Sequence, residues 1–236
     1  MVNSTFPSVS SLPTRDVRQR DLVPPDRLAK CHALVIGIGA IGRQVALQLA
    51  ALGVPRMMLV DDDRVAVENL AAQGYWPADL GNAKVHSTAA LCRSIYPEGR
   101  ITPIEQRFGR SSVKQLGLVE PLAGPLICFA CVDSIATRKR IFESLRPYLT
   151  CWIDGRMAAE TLRVLASDSP ATEDYYPTTL FAESEALVGS CTSRSTIYSA
   201  SIAAGLMVAQ FARHLRQIPV ERDQTLNLLA SELVTL

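Results

Sequence analysis

Between residues 33 and 61, the apolar run ALVIG is followed by glycines at 39 and 42, a stretch with apolar residues at helical spacing ending at Gly53, and a second apolar run, MMLVD. Few folds accommodate that order. Residues 33–37 are expected as a buried strand, 40–53 as a helix and 57–61 as a second strand, which together make a βαβ unit. Gly37, Gly39 and Gly42 form a GxGxxG turn enclosing Ala40 and Ile41, directly after a strand and opening a helix. The missing side chains let backbone turn tightly and approach a phosphate, while the helix N-terminus offers unpaired N–H donors and partial positive charge. Asp61 ends the second strand about 20 residues on, where a carboxylate can accept hydrogen bonds from ribose hydroxyls. The bland alternative is a glycine turn with no ligand.

Farther along, 81–95 reads as a helix, 101–105 and 126–132 as strands, and 134–147 as a helix carrying Arg138, Lys139 and Arg140. CWIDGRM and ETLRVLASD read as strands, 167–193 as a long polar loop, 195–215 as a helix, and QTLNLLASELVTL as one last strand. The 195–215 helix is rich in small residues (Ala200, Ser201, Ala203, Ala204, Gly205), which suits a core or subunit-contact helix. The expected fold is α/β and Rossmann-like: a mostly parallel sheet covered by helices on both faces, with antiparallel strands in the C-terminal half.

Composition narrows the class. With 236 residues, 48% hydrophobic and 20% charged, the chain can bury one large core. The expected organisation is a mobile tail over 1–14 and a single domain over 15–236. A net charge of +1 with mixed signs gives no footprint for nucleic acid or an anionic membrane surface. The N-terminus lacks the basic start and apolar stretch of a secretory signal, so a cytoplasmic location is expected. The longest apolar stretches, near 44–60 and 196–212, are interrupted, and no membrane span is implied. Six cysteines are scattered at 31, 92, 128, 131, 151 and 191. Cys128 and Cys131 form a lone CxxC inside PLICFACVD, where strand geometry points the two thiols to opposite faces, so two buried thiols are expected rather than metal or redox chemistry.

The glycine turn and Asp61 suit NAD or FAD as well as a mononucleotide. Asp63 follows Asp61, however, and Lys84 and Asp133 stand at the starts of later helices, where the carboxyl ends of the strands converge. A lysine and extra carboxylates in that crevice are what a triphosphate with Mg²⁺ requires, which favours ATP.

GIGAIG, LVDDDRV, ENLAAQ, LGNAKV and CVDSIATR, in that order, resemble the successive motifs of the ThiF/MoeB/HesA family, adenylating enzymes that activate ubiquitin-like proteins. The resemblance covers most of the chain from about residue 15. It implies that Asp61 holds the ribose, that Asn69, Gln73 and Lys84 line the phosphates, that Asp133 binds Mg²⁺, and that Asp63 lies near the metal and the reaction centre. Arg15, Arg18 and Gln19 are similar to a segment that in this family crosses to a partner subunit. Arg18 would then act in trans within a homodimer. The implied reaction is attack by the C-terminal carboxylate of a small ubiquitin-like or sulphur-carrier protein on the α-phosphate of ATP, releasing pyrophosphate and leaving an acyl-adenylate. Asp63, Lys84, Cys191 and Arg18 are the candidate catalytic residues.

The departures from the family pattern are specific. Ala72 stands where the family's N-L-x-R-Q motif has a phosphate-binding arginine, and Arg43 or Arg64 could compensate or be an ordinary exposed charge. Ser134 replaces the usual Asn after Asp133. The two CxxC pairs that hold zinc in many relatives are absent, so no zinc is expected. Cys191 lies where relatives carry a reactive cysteine, and helix N-terminal charge with Arg194 nearby would favour its thiolate; a structural cysteine is the alternative. Asp154, Arg156 and Glu160 read as an internal ion pair ahead of a grip on a substrate tail. Two other classes compete: a scaffold subunit that keeps the fold, for which Ala72 argues, and an NAD(P)-linked oxidoreductase, which leaves Asp63, Lys84 and Asp133 unexplained.

Overall fold

All eight strands found among the described residues join one sheet. The computed structural model describes residues 15–120, 122–181 and 195–236, and the expected tail over 1–14 lies outside them. In chain order the elements are α1 (Pro25–Leu28), β1 (His32–Ile36), α2 (Ala40–Leu52), β2 (Arg56–Asp61), α3 (Val67–Gln73), α4 (Lys84–Ile95), β3 (Arg100–Glu105), α5 (Ser112–Gln115), β4 (Leu126–Ala130), α6 (Ile135–Leu145), β5 (Cys151–Ala158), β6 (Thr161–Ser167), α7 (Pro170–Tyr175), α8 (Ile197–Leu215), β7 (Asp223–Asn227) and β8 (Glu232–Thr235). The strand order is β3-β2-β1-β4-β5-β6-β7-β8. Pairings from β3 to β5 are parallel and those from β5 to β8 antiparallel.

Both faces of the sheet are covered, as continuous apolar strands such as β4, buried at all five positions, require. One core holds Val45, Leu49, Ala89, Phe129, Ile153 and Phe211 beneath α2, α4 and α8; the other holds Leu34, Cys128, Ile141, Phe142, Trp152 and Tyr176. Cys128 therefore faces the second core while Cys131 packs against the first, as strand alternation predicts. Helix α8 is a core helix: Ala200, Ala203, Ala204 and Met207 are wholly buried, and a side chain at Gly155 of β5 would meet the Met207 thioether.

Two expectations need correction. The stretch read as a polar loop over 167–193 carries α7 and a 3₁₀ turn, Tyr176–Thr179, within its described part. Ser169 caps α7 and Pro170 fills its first position, where the missing N–H costs nothing. The single C-terminal strand is in fact a hairpin, β7 and β8, turning near Ser231, whose φ is 54°.

Candidate active site

The strand order reverses at β1: β2 lies on one side of it and β4 on the other, and the crevice beyond the strand ends there is where open α/β sheets bind ligands. The chain leaves β1 at Gly37, whose N–H donates to Val60 O at 2.9 Å, while Cys131 N–H donates to Ile36 O at 2.8 Å. Gly37 has φ +87°, and a Cβ there would lie 2.8 Å from the Cys131 backbone. A Cβ on Gly42 would come 1.8 Å from Gly37 O, so the first turn of α2 can fold back on the loop only without it. Gly39, the residue that caps α2, is different: a Cβ there meets nothing within 4 Å. No neighbour among the described residues demands that glycine, and the open space beside it fits the close approach of a phosphate.

Asp61 ends β2 and folds its carboxylate back over the loop. One oxygen accepts the Ile38 N–H and the other the Asp63 N–H at 2.7 Å. Burial raises its pKa, against the lowering effect of those hydrogen bonds and of Lys84. Lys84, the first residue of α4, has a side chain only 6% exposed, and its Nζ lies 2.7 Å from Asp63 Oδ2. Lys84 N–H also donates to Asp63 O at 3.0 Å, tying the β2 loop to the head of α4. The sequence reading passed over Asp62: carboxylate oxygens of Asp61, Asp62 and Asp63 lie within 4.8 Å of one another. Runs of three adjacent acids at a strand end were signal enough to include it.

Asn69 and Gln73 sit on α3. Asn69 Oδ1 accepts the Ala66 N–H at 2.9 Å and so fastens the start of its own helix, while Gln73 Oε1 is buried without a hydrogen-bond partner. Asp133 is exposed in the loop after β4, two residues past the Cys131 backbone that Gly37 abuts. Ser134, in the usual Asn position, caps α6 by accepting the Thr137 N–H at 3.3 Å; serine and asparagine are equivalent in that task. The structure thus gathers the glycine loop, Asp61, Asp63 and Lys84 into direct contact, with Asp133 on the adjoining loop.

Arg18 stands apart from this group. It is exposed on a segment that packs on the C-terminal end of α2, where Arg15 donates to Ala50 O and Ala51 O and Gln19 to Leu52 O. The glycine loop lies at the other end of that helix, about 20 Å away at 1.5 Å per residue. Cys191 and Arg194 lie outside the described residues. The thiols of Cys31, Cys92 and Cys131 are pushed up to about 11, 12 and 12 by burial, and burial also raises Cys128 and Cys151 well above the ordinary value, so none of these five is a ready thiolate.

Asp154 and Arg156 form the expected internal ion pair, at 2.8 Å, but Glu160 is not part of it and accepts instead from the Tyr198 hydroxyl. The larger network around Asp154 has no signature in the sequence. Arg138 also pairs with it, Tyr176 donates to it at 3.0 Å, and Arg156 continues to Thr179 O at 2.9 Å. Arg64 is exposed and engaged by Glu105 and Gly81 O, whereas Arg43 is buried and not a surface charge.

Comparison with known proteins identifies the family and the fold. The profile described as "ThiF family" matches residues 15–233. The SAMP-activating enzyme E1 of Haloferax volcanii is 33% identical over 113 residues, 48% of this chain and 40% of that protein. The sulfur carrier protein ThiS adenylyltransferase of Escherichia coli is 29% identical over 116 residues, 49% and 44% of the two chains. The bovine adenylyltransferase and sulfurtransferase MOCS3 is 38% identical over 172 residues, 68% and 35%. The chain therefore spans less than half the length of these curated relatives. Among solved structures, PaaA superposes with a TM-score of 0.74 at 19% identity, covering 100% of this chain and 77% of that one. E. coli MccB with ATP gives 0.65 at 15% identity, covering 89% and 65%. At such identities the likeness is one of fold.

Proposed function

We propose, from the premise that the chain belongs to the ThiF family, that it is an ATP-dependent adenylyltransferase acting on the C-terminal carboxylate of a small ubiquitin-like or sulphur-carrier protein. The observation that carries this reading is the contact group at the strand switch point: a glycine loop with open space at Gly39, Asp61 folded over it, and the buried Lys84 held by Asp63. A redox dinucleotide needs the first two and leaves the third without a task.

In this reading the N–H groups of the glycine loop and Lys84 hold the phosphates of ATP, Asp61 the ribose, and Asn69 and Gln73 the phosphate side of the crevice. A carboxylate oxygen of the carrier forms a bond to the α-phosphorus. The bond from that phosphorus to the bridging oxygen breaks, and its electron pair departs on pyrophosphate. Two anions must be brought together while charge grows on the leaving group, so fixed cations and oriented N–H donors supply most of the acceleration. Mg²⁺, held by Asp133 with Asp63 near it, would neutralise phosphate charge. Arg18 is exposed on the segment packed at the C-terminal end of α2, a helix about 20 Å long with its own glycine loop at the other end, and that placement supports a role in trans and with it a homodimer. Cys191 is the candidate for a subsequent thioester, since burial keeps the five described thiols neutral. The proposed compartment is the cytoplasm; among the described residues no helix is long and apolar enough to cross a membrane.

The test is exchange of labelled pyrophosphate into ATP with Mg²⁺ and each encoded small protein of ubiquitin-like type. Carrier-dependent exchange is the expected result. Background exchange with all of them, alongside calorimetric ATP binding, would leave a scaffold with a nucleotide site in place of an enzyme.

A further inference from the structure

Arg43 occupies an expensive position. It is the fourth residue of α2 and only 4% exposed. Its guanidinium carbon lies 4.6 Å from the centroid of the Tyr75 ring, and Tyr75 is itself fixed to the glycine loop by a 2.8 Å hydrogen bond from its hydroxyl to Ile38 O. Gly74 lies beside the guanidinium: a Cβ there would stand 3.6 Å from Arg43 Nη1, an ordinary contact. Among the described residues no carboxylate lies within ion-pair distance of Arg43, and its buried Nε has no hydrogen-bond partner. The field of Asp79 reaches it, but that carboxylate is engaged by the Trp76 N–H at 2.9 Å.

Three costs coincide here. A buried guanidinium without a carboxylate has lost its hydration for a ring face alone. It stands in the first turn of α2, where the helix dipole is positive and repels a cation. Side chains of a helix lean toward its N-terminus, which brings this charge nearer the positive end. Gln73, at the end of α3 beside Gly74, likewise keeps a buried Oε1 unpartnered. An anion at the N-terminus of α2 would relieve the three costs at Arg43 together, though not the Gln73 oxygen, which needs a donor; a purely structural clamp on Tyr75 would be served better by an apolar side chain.

We propose that Arg43 is a polyphosphate-binding residue, its guanidinium taking oxyanions of the nucleotide tail at the N-terminus of α2 and filling the place in the site that Ala72 leaves without a cation. The proposal rests on the reading of the glycine loop as a triphosphate site and adds to it a second phosphate cation beside Lys84.

Calorimetric titration of the wild type, Arg43→Gln and Arg43→Lys with ATP, adenosine and inorganic tripolyphosphate tests it. A charge-assisted hydrogen bond is worth enough that Arg43→Gln should weaken ATP and tripolyphosphate by about 10- to 100-fold, and leave adenosine within about twofold. Arg43→Lys should recover part of the loss, and Ala72→Arg placed in the Arg43→Gln chain should recover part of it from the opposite helix. If Arg43→Gln folds poorly, the ATP-to-adenosine affinity ratio of Arg43→Lys gives the same reading, and it must fall. An unchanged ATP affinity in Arg43→Gln with a lowered Tm would overturn the proposal in favour of a structural clamp. Wild-type binding of tripolyphosphate that depends on Arg43, without binding of ATP, would sustain this role and remove the nucleotide reading; binding of neither would remove both.

Discussion

Exchanging Gly39 and Gly42 separately for alanine should split stability from ligand binding. At Gly42 the new methyl would lie 1.8 Å from the carbonyl oxygen of Gly37, a backbone atom that cannot swing aside, so the loop and the head of α2 must part. Overpacking of this kind costs about 3 kcal/mol at the upper end. Alanine returns about 1 kcal/mol inside a helix, leaving a net loss of about 2 kcal/mol. For a domain of this size each kcal/mol moves Tm by about 2–4 °C, which gives a fall of about 4–8 °C. At Gly39 the methyl meets nothing within 4 Å and the backbone φ of −80° is ordinary, so Tm should hold within about 2 °C. The same methyl occupies the space assigned to a phosphate, so ATP affinity should fall by about 100-fold or more, as for a lost set of hydrogen bonds to a charged group. Differential scanning calorimetry and ATP titration on the two variants make the comparison. A Gly39→Ala protein that binds ATP like the wild type would refute the assignment of that open space, and one that loses as much Tm as Gly42→Ala would refute the reading of the loop packing.

Other outcomes follow from the same contacts. Lys84→Met should cut carrier-dependent pyrophosphate exchange by about 10²- to 10³-fold, as loss of a fixed charge-stabilising group does. Asp63→Asn should move Tm by no more than about 4 °C, since its partner pair is open to water on the Asp63 side. Asp154→Ala strips the wholly buried acceptor from Arg138, Arg156 and Tyr176, and breaking a buried pair costs about 3–5 kcal/mol, so thermal melting should come down by about 6–20 °C. Asp223 is pushed upward by burial, but hydrogen bonds from Arg163 and Tyr175 outweigh that and hold it below its ordinary 3.8. A depressed carboxyl stabilises the fold above the unfolded value and loses that contribution as pH falls through the folded one. The Tm gap between wild type and Asp223→Asn should therefore be widest near neutral pH and close under acid below 3.8; a constant gap would show that the ion pair is not its source.

The parallel half of the sheet was readable because each strand is a short apolar run framed by turn residues, and the strand limits fall within two residues of the structure. Helix α3 gave no such signal: none of its residues is buried, so it has no apolar face for periodicity to reveal, and it is held instead by the Asn69 cap and its neighbours. Strand β8 hid for the related reason that all four of its residues are exposed, Leu233 and Val234 included, which leaves no alternation to separate it from β7. The start of α7 did carry a signal in Ser169 and Pro170, overridden by the polar character of the surrounding stretch.

The site shows where local pattern stops being informative. Spacing alone placed the glycines and Asp61, because the turn and the strand end are local events, and it placed Asp63 just past a strand end and Lys84 at the start of a helix without revealing that they pair. The charge state of Arg43 in its surroundings was beyond any local rule. Its helix phase gave it no privileged face, and what buries it is the Tyr75 ring arriving from the far end of α3, anchored to Ile38 through a hydroxyl that no spacing announces. The same holds for Arg138, which reads as one of three consecutive basic residues and becomes a core cation only because β5 delivers Asp154 beside it. A buried charge is defined by its partners, so two arginines indistinguishable in sequence have opposite standing here: Arg138 has its carboxylate within the fold, and Arg43 has none among the described residues.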